Sequence, residues 1–330
     1  MARRALIVGI NDYGGPPNDL RGCIPDADAM AKVISQHKDT EKNFDCWLWL
    51  DKTHEGKPIT RAALRAALKK LFEFDGDVLL YFSGHGFLDK NGGYLCTSDA
   101  TKDDWGVPMQ EVVDLAINST AKQILVILDC CHAGDIANPS AVQGRSNPLA
   151  LIRENMTVIA ASRDKEVSIE AGGHGLFTSA LLDALDGGAA DHRGFVSAPA
   201  LYDYARRRFA GWDQRPVYKT NATEVFIVRE CEPLIERGQL TQLPVHFPTA
   251  DFKFRLDPEF EPEDENGHVK QPVNQAKVDI AQLFKAYRDA GFLRASNPKT
   301  QLYWAARHSE TVELTARGRE YWWLIKENKT

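Results

Sequence analysis

No stretch of this chain offers the ~18 uninterrupted apolar residues that a helix needs to cross a bilayer, so the sequence predicts no membrane span or membrane partner. Excess positive charge is missing as well. Forty Lys and Arg stand against 46 Asp and Glu, a net charge of −6, which argues against general binding to DNA or to anionic lipid. The cysteines Cys23, Cys46, Cys96, Cys130, Cys131 and Cys231 include no CxxC pair and are too sparse for a small disulfide framework. The opening MARRALIVGI does not read as a signal peptide, so the expected location is a reducing cytoplasm. Internal repeats are absent. What remains, 43% hydrophobic and 26% charged residues, is ordinary for a soluble globular protein. Its 330 residues suffice for one large core or two domains.

Two stretches organise the rest. Gln123–Gly134 reads QILVILDCCHAG: a short apolar, partly β-branched run that stops at Asp129, Cys130, Cys131 and His132. Asp77–Gly86 reads DVLLYFSGHG: a second apolar run, ending in Ser83, Gly84, His85 and Gly86. Continuous apolar runs of this length suit strands buried on both faces, as in a parallel sheet. Reactive groups in such sheets sit at the carboxyl ends of the strands. If the two strands are neighbours, His85 and one of the cysteines meet at one edge, the arrangement for thiolate catalysis.

The remaining chain alternates strands with helices. Arg4–Ile10 is a strand, Asn11–Pro17 a turn-rich loop, and Asp26–His37 a helix with Pro25 at its start. Phe44–Leu50 is a strand. Ile59–Phe74 is a helix with Thr60 as its cap. Gly92–Asp99 reads as a short hairpin arm and Pro108–Asn118 as a helix. Residues 135–153 read as an exposed loop. Met156–Ser162 is a strand, Leu176–Leu185 and Ala198–Phe209 are helices, and Thr223–Val228 closes the strand set. This alternation predicts a two-sided α/β sandwich on a mainly parallel sheet over residues 1–230. Pro244, Pro248, Pro258, Pro262 and the acidic run Glu259–Glu265 then mark residues 231–270 as a linker or irregular arm. Residues 271–330, with helices at Val278–Ala290 and Thr315–Lys326 around a β-like Thr311–Leu314, predict a small winged-helix-like α+β module.

At Ser83–Gly86 and Asp129–Gly134 the sequence resembles the caspase-like cysteine peptidases (clan CD), above all the metacaspases and their bacterial relatives, the orthocaspases. The family's hallmarks are an apolar strand ending S-G-H-G and another ending D-C-C-H-S-G; here they stand as SGHG and DCCHAG. LRGCIPDADAM resembles the family's L-x-G-C-x-N-D-A segment, with Pro25 in place of Asn, and GLFTSALLDAL resembles its small-subunit helix. The resemblance spans roughly Arg4 to Arg229. It implies a caspase-like α/β/α sandwich, large-subunit-like to about residue 134, a loop at 135–155, and small-subunit-like over 156–230. It implies His85 as general base or ion-pair partner, Cys131 as nucleophile, and the backbone N–H groups of Gly86 and Cys131 as an oxyanion hole. Two plainer readings stand beside this one: a packed His with a buried thiol, or a zinc site made from His85, Cys130, Cys131 and His132. Cys130, adjacent to Cys131 at a strand end, points the other way and reads as a core thiol. His132 reads as structural or solvent-facing.

In metacaspases the positions corresponding to Asp26 and Asp129 line the S1 pocket and select Arg or Lys. Glu170 stands where Asp-cutting caspases carry Arg. The resemblance therefore implies protein substrates cleaved after Arg, then Lys, because two carboxylates favour a guanidinium. The alternative for Asp26 is a helix-start acid favoured by the dipole; Arg21 and Arg163 keep an Asp-directed pocket as a minor alternative. Arg145, in the 135–155 loop, is the candidate self-cleavage site. No cofactor is required on this reading. Asp99, Asp103 and Asp104 form an acidic group whose default reading is a solvated loop, with Ca²⁺ as the alternative. The C-terminal module reads as a docking site for an activator or regulatory protein, and the architecture points to bacterial signalling or defence. A different class of reading is a catalytically silent scaffold that acts through that module, on DNA or on a partner.

Overall fold

The computed structural model describes residues 2–14, 19–51, 58–90, 92–130, 152–161, 170–171, 174–209, 216–263, 268–269 and 271–327. Two compact units result, one comprising Met1–Ala190 with Gly194–Glu232, the other Asp191–Arg193 with Pro233–Thr330.

The first unit runs β1 (Arg3–Gly9), α1 (Cys23–Ser35), β2 (Asp45–Leu50), α2 (Arg61–Phe72), β3 (Asp77–Ser83), β4 (Gly86–Asp89), β5 (Gly92–Thr101), β6 (Asp104–Pro108), α3 (Met109–Ile117), β7 (Ile124–Asp129), β8 (Met156–Ala160), β9 (Glu170–Ala171), β10 (His174–Gly175), α4 (Leu176–Asp183), β11 (Phe195–Ser197), α5 (Ala198–Arg208), β12 (Val217–Thr220) and β13 (Ile227–Glu230). Six strands form one sheet in the order β12-β8-β7-β3-β1-β2. Five are parallel, and β12 joins antiparallel to β8. The mainly parallel α/β sandwich is thus present.

Its central strands are apolar throughout because both faces are covered. Leu6, Val8, Leu80, Phe82, Val126 and Leu128 pack on one side, with residues of α2 and α3. Ala5, Ile7, Leu79, Tyr81, Leu125 and Ile127 pack on the other, with residues of α1, α4 and α5. The period of two sorts neighbouring residues onto opposite cores.

Helix starts follow local chemistry. The Thr60 hydroxyl accepts the N–H of Ala63 and caps α2. Helix α1 begins at Cys23, earlier than Pro25 suggested, because the Asn11 carboxamide oxygen accepts the N–H groups of Cys23 and Ile24 at 3.0 and 3.4 Å. Pro25 then lies within the first turn, where its missing N–H costs nothing.

Two sequence expectations are corrected, and one is extended. Gly92–Asp99, read as a hairpin arm, belongs to β5, the middle of a three-stranded antiparallel sheet with β4 and β6. The strand that closes the main sheet is Val217–Thr220, not Thr223–Val228; the later segment yields β13, which pairs with β11 outside that sheet. VYKT is short and half polar because it lies at an edge, so it carries no strong apolar signal. Residues 231–270 are also not simply a linker. Two short helices (α6, Arg237–Leu240; α7, Leu243–His246), strand β14 (Lys253–Arg255) and a 3₁₀ turn at Pro258–Phe260 lie there. Ile235, Leu240, Leu243, Phe247, Leu256 and Phe260 are buried in the second unit's core. The prolines interrupt regular structure without removing the apolar anchors.

In the second unit these elements join α8 (Gln275–Asp289), β15 (Leu293–Ala295), α9 (Leu302–Arg307), β16 (Thr311–Leu314) and α10 (Ala316–Lys326). Its sheet is antiparallel, in the order β14-β16-β15. Thr315 caps α10 by accepting the N–H of Gly318. No helix among the described residues is long and apolar enough to cross a membrane.

Gly9, at the carboxyl end of β1, shows how tightly this edge is built. A Cβ there would lie 2.5 Å from the Cys23 carbonyl oxygen and 2.7 Å from the Ala27 Cβ. Gly9→Ala should therefore lower stability by about 1–3 kcal/mol, read as a reduced urea midpoint with an unchanged m-value; an unchanged midpoint would contradict the close β1–α1 approach.

Candidate active site

Strands β3 and β7 are parallel neighbours in a register that pairs Ser83 with Asp129. The Gly84 N–H approaches the Asp129 carbonyl at 3.4 Å. The residues that follow, Gly84–Gly86 and Cys130, therefore leave the sheet side by side at its carboxyl edge. Cys130 is buried within the core cluster of Phe82 and Leu128, the place expected for a structural thiol. Cys131, His132, Arg145 and Arg163 lie outside the described residues.

His85 is half-buried, and its backbone is held at both ends. Its N–H donates to the Tyr13 hydroxyl at 2.8 Å, and its carbonyl accepts the Cys96 N–H at 3.0 Å. Gly86 follows as the first residue of β4, opposite Leu95 of β5.

Asp26 and Asp129 are both nearly closed to solvent, at 2% and 3% exposure. Asp26 comes from the first turn of α1 and Asp129 from the end of β7. The start of α4 supplies donors to both. The Gly175 N–H reaches Asp26 at 3.2 and 3.3 Å, and the Thr178 hydroxyl donates to Asp129 at 2.7 Å. Tyr81 lies 2.6 Å from the same hydroxyl. Thr178 spends its hydrogen on Asp129, so Tyr81 donates to Thr178 and the hydroxyls form a relay ending on the carboxyl group. A helix N-terminus is a favourable place for negative charge. Asp26 also meets His174, whose Nδ1 lies 2.8 Å from Oδ1.

Burial first, then the Asp129 carboxyl, push the Asp26 carboxyl up to about 6 against the opposing bonds from His174 and Gly175. Burial, then the same two carboxyl groups, raise the Tyr81 phenol well above its ordinary value. Glu170 lies in β9, paired across its hairpin with Gly175; its side chain is outside the described set. Arg21 is exposed, and its carbonyl accepts the Asn11 carboxamide N–H.

Two of the three acids named for the calcium alternative have partners within the chain. Asp99 accepts the Arg61 N–H at 3.0 Å and the Thr97 hydroxyl at 2.6 Å, and Asp104 pairs through both oxygens with the Arg61 guanidinium. Asp103 is exposed. Among the described residues no three His, Cys, Asp or Glu side chains converge on one point.

Sequence reasoning missed Tyr13, Thr178 and His174. Tyr13 lay inside a loop read only for its glycines and prolines. An aromatic residue just past the end of a central strand was the available signal. Thr178 and His174 bracket the start of α4, and only the fold brings them to Asp129 and Asp26.

The caspase-domain family profile matches residues 2–241, so the chain belongs to the caspase-domain family of peptidases. Its relatives include metacaspases. It is 26% identical over 227 residues to Metacaspase-1B of Aspergillus oryzae, covering 62% of this chain and 49% of that protein. Metacaspase III c of Phaeodactylum tricornutum is 30% identical over 152 residues, 41% of this chain and 43% of that one. Metacaspase-1 of Debaryomyces hansenii is 27% identical over 147 residues, 40% of this chain and 33% of that one. The chain thus spans about half the length, or less, of these curated relatives. The first unit is a metacaspase-like cysteine peptidase domain.

Asp26 gives a stability test. Its folded carboxyl holds a proton up to about pH 6, whereas the unfolded one releases it near 3.9. Between those values the folded state binds more protons, so Asp26 makes stability fall as pH rises through that window and stay lower above it. Asp26→Asn, a neutral mimic, should match wild type near pH 4 and gain a Tm advantage that grows towards pH 7; a difference flat across thermal melts from pH 4 to 7 would refute the raised carboxyl.

Proposed function

We propose that the protein is a cysteine endopeptidase that cleaves protein substrates after Arg, and after Lys second, with Cys131 as nucleophile and His85 as its proton partner. The observation that carries this reading is a pair of buried carboxyl groups, Asp26 and Asp129, beside the sheet edge where the His85 strand ends and the chain runs on to Cys131. A side chain inserted next to two acids gains charge-assisted hydrogen bonds if it is a guanidinium, and fewer if it is an ammonium. A carboxylate side chain would be repelled.

In the proposed reaction the Cys131 thiol gives its proton to the His85 imidazole, and the thiolate attacks the scissile carbonyl carbon. The N–H groups of Gly86 and Cys131 hold the resulting oxyanion; one such donor is worth about 3 kcal/mol in comparable hydrolases. The C–N bond then breaks as the imidazolium returns the proton to the leaving amine. Water, deprotonated by His85, attacks the thioester and releases the acid and the thiol. The same specificity makes Arg145 a candidate for self-cleavage. The second unit, with its own core, is proposed to dock a regulatory protein.

An Arg-ended fluorogenic peptide tests the reading. Cys131→Ala should abolish turnover, and the Asp-ended peptide should be refractory. Asp129→Asn should raise KM for the Arg peptide by about 2–5 kcal/mol in equivalent binding energy while leaving the fold intact. Turnover of the Arg peptide that survives Cys131→Ala would end the case for a thiol mechanism. KM should also climb as pH falls through about 6, where Asp26 gains its proton; a KM flat across that range would remove Asp26 from the pocket.

A further inference from the structure

Tyr13 is bound up with His85 in two ways, and the residue between β3 and His85 makes room for the first. Its hydroxyl oxygen accepts the His85 backbone N–H at 2.8 Å. Its ring stands 4.6 Å from the imidazole, centroid to centroid, tilted by 57°. The residue before His85 is a glycine, and a Cβ at Gly84 would fall 2.5 Å from the Tyr13 hydroxyl oxygen and 2.9 Å from the Phe82 ring. The missing side chain at position 84 is what lets the phenol reach the backbone of residue 85.

The loop that carries Tyr13 is itself pinned. The Tyr13 N–H donates to Asp19 at 2.9 Å. Just before it, the N–H groups of Asn11 and Asp12 both donate to the buried carboxyl of Asp51, the first at 2.7 Å. Asn11 in turn caps α1. Tyr13 is half-buried, and desolvation of its phenol, with the Cys23 thiol next, raises it well above its ordinary value. It therefore stays a neutral hydroxyl whose oxygen is available as an acceptor.

We propose that Tyr13 is a positioning residue for the His85 imidazole, its hydroxyl anchoring the backbone of residue 85 and its ring walling one side of the imidazole. This rests on the reading of His85 as the imidazole of the peptidase. One fixing acts on the backbone that carries the histidine and the other on its ring. The hydrogen bond sets where the Cα–Cβ bond starts, and the neighbouring ring limits the turn about χ2. A misplacement of an ångström in such a group lowers turnover strongly, with no change in how substrate binds.

Tyr13→Phe keeps the ring and removes the acceptor. The expected result is a kcat on the Arg-ended peptide lowered roughly tenfold with KM unchanged. The pH profile of Cys131 alkylation by iodoacetamide, followed on the Cys131 peptide by mass spectrometry, should move to higher pH because a looser imidazole stabilises the thiolate less. The alkylation readout needs no peptide turnover. A wild-type kcat with a wild-type profile overturns the proposal, and so does a lowered kcat with an unmoved profile. Should Tyr13→Phe not fold, Gly84→Ala, which drives a Cβ against the phenol, is read by the same two measurements and the same outcomes. His85→Ala separates the two levels. If it retains wild-type turnover, the dyad reading itself falls. If it is inactive while Tyr13→Phe behaves as wild type, only the role of Tyr13 falls.

Discussion

The parallel pairing of β3 with β7, with Ser83 opposite Asp129, is the constraint from which the rest of the site descends. Two strands running the same way finish at the same edge. Their register is not free. Phe82 and Leu80 face one core while Tyr81 and Leu79 face the other, so a slip of one residue would exchange every side chain between the two faces. Packing of the hydrophobic core thus fixes where the segment through His85 and the segment leading to Cys131 leave the sheet. The proposed chemistry inherits its geometry from apolar residues that never touch a substrate.

The same edge holds a costly feature. Two carboxyl groups are shut away from water there, and burial first, then the Asp129 carboxyl, raises Asp26 to about 6. Hydrogen bonds from Gly175 and Thr178, at the start of α4, recover part of that cost. Tyr81 extends the second of these across to β3. The proposed preference for a cationic side chain rests on these two buried acids. His174 also engages one of the acids, its Nδ1 2.8 Å from Asp26 Oδ1.

The sheet, its helices and the two strand-end tetrapeptides were legible because each is a local signal: an apolar run of the right length, a capping Thr60 or Thr315, a polar stop. The edge strand Val217–Thr220 was not, since a strand covered on few sides needs no apolar run. Residues 231–270 misled for a related reason. Their prolines and acids advertise irregular backbone, while the buried Leu240, Leu243, Phe247 and Phe260 show that irregular backbone can still pack. Asp99 and Asp104 drew attention as an acidic group, but Arg61, distant in sequence, takes up both.

Sequence alone determined the class of fold, the family, and which side chains carry reactive or charged groups, because these follow from short-range pattern: period, strand length and motif. Only the tertiary structure decided who stands beside whom. Tyr13 against His85, His174 against Asp26 and Thr178 between Tyr81 and Asp129 join residues separated by 72, 148, 97 and 49 positions. Such meetings depend on how helices and loops settle on both faces of the sheet, and no local rule of spacing encodes them.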